Sequence, residues 1–362
     1  MKGPAIGRSV PLGPRGESAS RVSRARAYAP LAISFVAVIA LSASGAMNQY
    51  VQTVLMFIGI NVIFAASLNI VNGYMGEFSC GHAGFMAVGA YVSSVLSAAL
   101  FSVHPETGAA LVPSAFAIPL FPVIVLAGGA AAGIAGLLVA IPSFKTRDDY
   151  LAIITLAANF IIVTVINNLE AVGGSRGFMG MKAVVRAMDA SAPLPWMMVW
   201  IFVFTVFSVV AIRRLMGSVL GKGISAIRYD EISAEIMSVN TNRMKLIAFM
   251  FSSALAGVSG ALFAHVLGFI NPGSFSIMKS TEGLVMVYLG GMGSLSGSIL
   301  SAGLFTILLE LLRPFQIFKW VLIPLLLILL MQFRPEGILG NRELSDFIPG
   351  LRKFFRGGKR HE

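Results

Sequence analysis

Hydrophobic residues run along this chain in blocks of roughly 20, the length an α-helix needs to cross about 30 Å of hydrocarbon. The blocks predict helices near 29–47, 51–71, 83–103, 122–142, 150–168, 195–215 and 244–268, then a shorter set near 282–293, 297–312 and 315–333. The uncharged run 107–144 is too long for one span, and Pro113, Pro119 and Pro122 interrupt its first part, so 107–121 is assigned to a surface loop. The pattern therefore predicts an all-α, polytopic membrane bundle of about ten helices, with broken or re-entrant elements where glycine and polar residues collect.

The connections between blocks differ in basic residues. Of 27 Lys and Arg, six lie in 1–28, two in 143–149, six in 213–245 and seven in 334–362, whereas 104–114 has none and 168–194 has three. Cytoplasmic loops retain such residues, so both termini and the 213–245 loop are expected on the cytoplasmic side. The net charge of +11 is then a topology signal, not a nucleic-acid one. Residues 30–46 have the small-residue ending of a signal peptide, but the segment ahead of them is too long, so 29–47 is read as a retained first helix. The division is a basic tail 1–28, expected to be disordered, a transmembrane domain 29–333 with a cytoplasmic loop 216–243, and a basic tail 334–362.

Composition narrows the chemistry. Charged residues make up 12% of the chain, about half the share in soluble domains, so no ordinary aqueous core is expected. A single cysteine and four scattered histidines leave no disulfide framework and no metal-ligand spacing. No P-loop or H-E-x-x-H occurs and no nucleophile is read beside a general base, so the chain is not read as an enzyme, and uphill transport by ATP hydrolysis would need a nucleotide site on another polypeptide.

Two regions stand out. In 72–82 (NGYMGEFSCGH), Gly73, Gly76, Glu77, Ser79 and His82 follow directly on a span, and irregular backbone at that depth is tolerated only against protein or a water-filled path. Residues 290–296 (GGMGSLS) echo 73–79 (GYMGEFS), adding Gly291, Gly293 and Ser296 to a candidate translocation path. Asn61, Asn69, Asn159, His265, Glu282 and Glu310 are expected to face the bundle interior or an interface. The second region is 224–238 (ISAIRYDEISAEIMS), read as one short amphipathic helix. Tyr229, Ile232 and Ile236 fall on one face, Arg228, Glu231 and Glu235 on another, and the acids, with Asp230, favour a protein partner over an anionic leaflet.

From 51 to 340 the chain resembles the LivM-type permease subunits of ATP-binding-cassette importers for branched-chain amino acids. The resemblance rests on 61–90, 150–178, 221–263, 242–275 (NRMKLIAFMFSSALAGVSGALFAHVLGFINPGSF), 289–297 (LGGMGSLSG) and 334–340 (RPEGILG). It implies that 224–238 is the coupling helix docking in a cleft of the ATPase, through Arg228, Tyr229, Asp230, Glu231, Ala234 and Glu235. Of the E-A-A-x-x-x-G signature usual in such loops, Ala234 fits, Ser233 replaces the first alanine and Ser238 the glycine, and Glu231 stands one position ahead of the signature's glutamate. It also implies a LivH-type partner permease, two ATPases holding ATP and Mg, an extracytoplasmic solute-binding protein, and no cofactor on this chain. Urea permeases look similar at these motifs, leaving urea or a short-chain amide as the alternative solute. A secondary transporter would need more intramembrane charge pairs than the sequence offers.

Overall fold

A computed structural model of the chain describes residues 47–102, 111–144, 150–191, 194–333, 337, 338 and 340. The predicted tails 1–28 and 334–362, except for those last three residues, and the predicted helix 29–47, except Met47, lie outside the described residues. The described chain is all-α, apart from one antiparallel pair of two-residue strands, β1 (Phe178–Met179) and β2 (Phe269–Ile270).

The helices are α1 (Gln49–Asn69), α2 (His82–Phe101), α3 (Ala117–Ser143), α4 (Tyr150–Asn168), α5 (Lys182–Ser191), α6 (Trp196–Gly217), α7 (Val219–Tyr229), α8 (Glu231–Ile236), α9 (Thr241–Leu267), α10 (Ile277–Gly290), α11 (Leu295–Leu311) and α12 (Gln316–Phe333). Among the described residues, six helical stretches are long and apolar enough to cross a membrane: Gln49–Met75, His82–Phe101, Ser114–Ser143, Tyr150–Asn168, Trp196–Gly217 and Thr241–Leu267. Against the ten predicted, α10 has 14 residues and α11 has 17. At 1.5 Å per residue α10 reaches only about 21 Å, short of the hydrocarbon thickness.

The loop assigned to 107–121 is shorter than predicted, because α3 begins at Ala117. Pro119 sits in its first turn, where a missing N–H costs nothing, and Pro122 forfeits one backbone bond. Burial offsets that loss: Phe121 is fully enclosed, its ring 5.1 Å from that of His265 and 6.2 Å from that of Trp200.

The core is built on α1, α2, α3 and α9, whose interhelical faces are small. Lipid tails give helices no hydrophobic reason to associate, so close backbone approach and interhelical hydrogen bonds have to do it. A Cβ on Gly89 of α2 would overlap the Gly257 backbone of α9, and one on Gly257 would fall 3.0 Å from the Gly128 carbonyl oxygen of α3. Polar residues fasten α9 to α1 and α2, and α1 to α11. Asn61 donates to Thr306 Oγ1 at 2.9 Å, Ser252 Oγ donates to the Ser67 carbonyl at 2.6 Å, and His265 bridges the Ala261 carbonyl and Ser97 Oγ at 2.7 and 3.0 Å. The expectation that Asn61 and His265 face inward holds. Glu282 and Glu310 pair with Lys279 and Arg313, each at 2.9 Å. By contrast α4 and α6 are only about one-third buried or less over their apolar windows, as peripheral helices would be. A groove of about 540 Å³ runs along α4 between Phe160, Ile161, Thr164, Val165, Asn168 and Leu169, away from both glycine-rich turns.

Candidate functional site

Both glycine-rich segments interrupt helices at the same end of the bundle. After α1 the chain widens into a π-helical turn, Ile70–Met75, that Gly76 closes at φ 82°. Residues 76–81 then run without regular structure until α2 starts at His82. After α10, Gly291 and Gly293 take φ 112° and 82°, and Ser294 caps α11 by accepting from the Gly297 amide. The echo between 73–79 and 290–296 aligns Gly76 with Gly293, and both occupy the left-handed region that only glycine enters without strain. The repeat is conformational as well as sequential.

The two turns touch. Gly73 lies against the Gly293 amide so closely that a Cβ would overlap it. Fully buried Asn69 holds the junction: its Oδ1 accepts from Gly293 N at 2.9 Å, and its Nδ2 donates to the Ser294 carbonyl at 3.0 Å and Ser298 Oγ at 2.8 Å. Nothing in the sequence marks Asn69 beyond its being a polar residue inside a span. Around the first turn, Asn72 brackets the Ser79 backbone, and Cys80 N donates to Thr155 Oγ1 at 3.2 Å. Burial pushes the Cys80 thiol up. His82 shares a 2.9 Å hydrogen bond with Ser67 Oγ. Ser79 Oγ, His82 Nδ1 and Asn159 Oδ1 are buried without a protein partner, which concentrates unspent polar capacity beside this turn. Ser296 Oγ lies 3.3 Å from Ser294 Oγ.

The predicted amphipathic helix 224–238 is two helices. Asp230 is extended (φ −165°, ψ 112°) and caps α8, accepting from Ser233 N at 3.1 Å and Ser233 Oγ at 2.7 Å. Those side-chain and backbone hydrogen bonds hold its carboxyl below the ordinary range. An Asp three residues ahead of a Ser prefers this cap to a place inside a helix, which explains the break. The apolar side chains still share one exposed surface: Tyr229 85%, Ile232 72%, Ile236 76% and Met237 79% exposed. The residues of the predicted polar face, in contrast, bond to or pack on the rest of the protein, while Glu231 and Glu235 stay exposed. Arg228 packs over Gly76, where a Cβ would lie 2.9 Å from its Cγ. Glu231 pairs with Lys245 at 2.8 Å, Glu235 accepts from Thr241 Oγ1 at 2.7 Å, and Ala234 is buried.

Lys245 joins the two candidate regions, and no local pattern in the sequence singles it out. Asn240 caps α9, which starts at Thr241, so Lys245, one of the basic residues of 213–245 and also within the predicted helix 244–268, lies in the second turn of the helix. There its Nζ meets Glu77 at 2.6 Å as well as Glu231. The 72–82 segment and the α7–α8 unit, separate candidates in the sequence, are thus joined.

The signature glycine replaced by Ser238 also has a structural consequence. Ser238 has φ 63°, the one positive value among the described non-glycine residues. A non-glycine residue there costs about 1 kcal/mol. Ser238→Gly is expected to stabilise α8 by that amount, seen as slower amide hydrogen exchange across 231–238; unchanged exchange would show the strain to be absent.

The family model for the branched-chain amino acid transport system permease component matches residues 50–332. The chain belongs to this family. It is a transport component and not an enzyme, a multi-pass membrane protein of a permease system. The chain is 31% identical over 309 residues to the high-affinity branched-chain amino acid transport permease LivM of Escherichia coli K12, covering 77% of this chain and 68% of that one. Similarity extends to LivH of the same organism, 28% identical over 80% of this permease and 96% of LivH. A probable LivM of Methanocaldococcus jannaschii is 23% identical over 81% and 94%. No solved structure matches this permease.

Proposed function

We propose that this permease imports branched-chain amino acids across a bacterial inner membrane, with both termini cytoplasmic, as one half of a pore shared with a LivH-type subunit. Two ATPase subunits, carrying ATP and Mg, drive it, and an extracytoplasmic binding protein delivers the solute. The observation that carries this reading is the apolar surface of Tyr229, Ile232, Ile236 and Met237, exposed at the end of the bundle where the loops are most basic. Apolar side chains in that density and exposure mark a protein or membrane contact, and the acids among them, Asp230, Glu231 and Glu235, favour a protein over an anionic leaflet.

In this reading α7 and α8 seat in the ATPases, with Arg228, Asp230, Glu231, Ala234 and Glu235 shaping and holding them. Gly73, Gly76, Glu77, Ser79, His82, Gly291, Gly293 and Ser296 form the inner end of the translocation path, whose backbone can change because residues 76–81 and 291–294 are not helical. The unpartnered polar atoms of Ser79, His82 and Asn159 offer a polar solute hydrogen bonds there. ATP-driven closure shifts the equilibrium between two permease states only through unequal affinity of the ATPases for them.

The test is uptake of labelled leucine into vesicles holding the assembled complex with ATP inside. Accumulation blocked by isoleucine and not by urea supports the reading; urea accumulation without leucine moves the solute, and flux without ATP overturns the mechanism. The double variant Ile232→Asp, Ile236→Asp is expected to lower ATPase copurification by about tenfold or more, since buried charges replace apolar anchors. Undiminished copurification would remove α8 from the interface.

A further inference from the structure

We infer that Lys245 is the positioning residue through which displacement of α8 reaches the turn that closes α1. The inference rests on the proposed role of α7–α8 and adds a residue outside that surface. Lys245 Nζ stands between two carboxylates from distant parts of the sequence, Glu77 Oε1 at 2.6 Å and Glu231 Oε2 at 2.8 Å. Side-chain exposure falls from 45% at Glu231 to 23% at Glu77 and 10% at Lys245, so the ammonium is the sheltered centre of the three. Its ammonium also lies over the ring of Phe144, just past the end of α3, with Nζ 5.8 Å from the ring centroid.

An ammonium has three donors on one point charge, so it can serve two acceptors at once. The two carboxylates repel each other and have no reason to converge except this cation. A shift of α8 therefore moves Glu231, Glu231 moves Lys245, and Lys245 moves Glu77, the residue directly after the left-handed Gly76. Glu77 is well placed to respond: its own amide is tied back to the Val71 carbonyl across the π-turn, at 3.1 Å, so a pull on the side chain acts on the turn itself. The packing of Arg228 over Gly76 keeps α7 in register with the same turn.

The experiment measures solute accumulated per ATP hydrolysed by the complete complex in proteoliposomes. Failure of the unsubstituted complex to accumulate solute would count against the proposed function and is seen before any variant is compared. Lys245→Met is expected to lower the ratio at least about tenfold with hydrolysis continuing, because losing one partner of a sheltered ion pair disrupts its geometry. Lys245→Arg is expected to restore most of it. Glu77→Gln and Glu231→Gln, on more exposed carboxylates, should each lower the ratio, and together no further than the worse one, since both act through one cation. A normal ratio in Lys245→Met, no recovery with arginine, or multiplying effects of the two glutamine variants would overturn the relay. Should Lys245→Met not assemble, the glutamine pair decides it alone.

Discussion

Gly257→Leu is expected to leave essentially no folded permease in the membrane. Gly257 lies where α9 crosses both α2 and α3, and a Cβ would strike Ala132 Cβ and come within 3.0 Å of the Gly128 carbonyl and 3.1 Å of Gly129 Cα. Overpacking a core ordinarily costs about 1–3 kcal/mol, when side chains can turn aside. Here the obstacles are a Cβ and backbone atoms of α3, none of which can turn aside, so α9 must move away from α3 and disturb its close approach to Gly89 of α2 as well. The loss should exceed that range and consume much of a stability of about 5–15 kcal/mol. The check is monodisperse protein recovered in detergent, with Gly217→Leu as comparison, since a Cβ at Gly217 meets nothing within 4 Å. Equal recovery of the two variants would show that the three-helix crossing does not hold the bundle.

The second large effect is expected at Asn69. Asn69→Ala removes a buried clamp that satisfies the Gly293 amide, the Ser294 carbonyl and Ser298 Oγ. An orphaned buried polar group costs about 1–3 kcal/mol, but Ser298 Oγ keeps the Ser294 carbonyl as a partner, so the sum should lie nearer a single large loss than three. The variant should fold, melt several degrees lower, and show increased hydrogen exchange at 290–298. Exchange unchanged there, with the melting point lowered, would mean that the second turn holds its shape without the first.

Much of this architecture could be read from hydropathy, because a helix in lipid must satisfy its own backbone and its length is set by the bilayer. Helix α4 falls at 150–168 as expected for that reason. The start of α3 could not be read, since whether proline breaks a helix depends on what buries the residues beside it, and the burial of Phe121 comes from α6 and α9. The exposed faces of α7 and α8 were visible in the spacing of Tyr229, Ile232 and Ile236, while the break between the helices hinges on a local choice by Asp230 that periodicity cannot see. Lys245 stayed hidden for a different reason. Its meaning lies in Glu77, 168 positions away, and a pair so distant leaves no local pattern.

The matched backbone of Gly76 and Gly293 makes the chain its own control. Alanine at either place meets the same left-handed dihedral, but one position lies under Arg228 and the other gives its amide to Asn69. Each substitution is therefore the other's calibration: what they share reports the conformational penalty of a non-glycine residue, and what separates them reports the neighbourhood in which each copy of the hinge has come to sit.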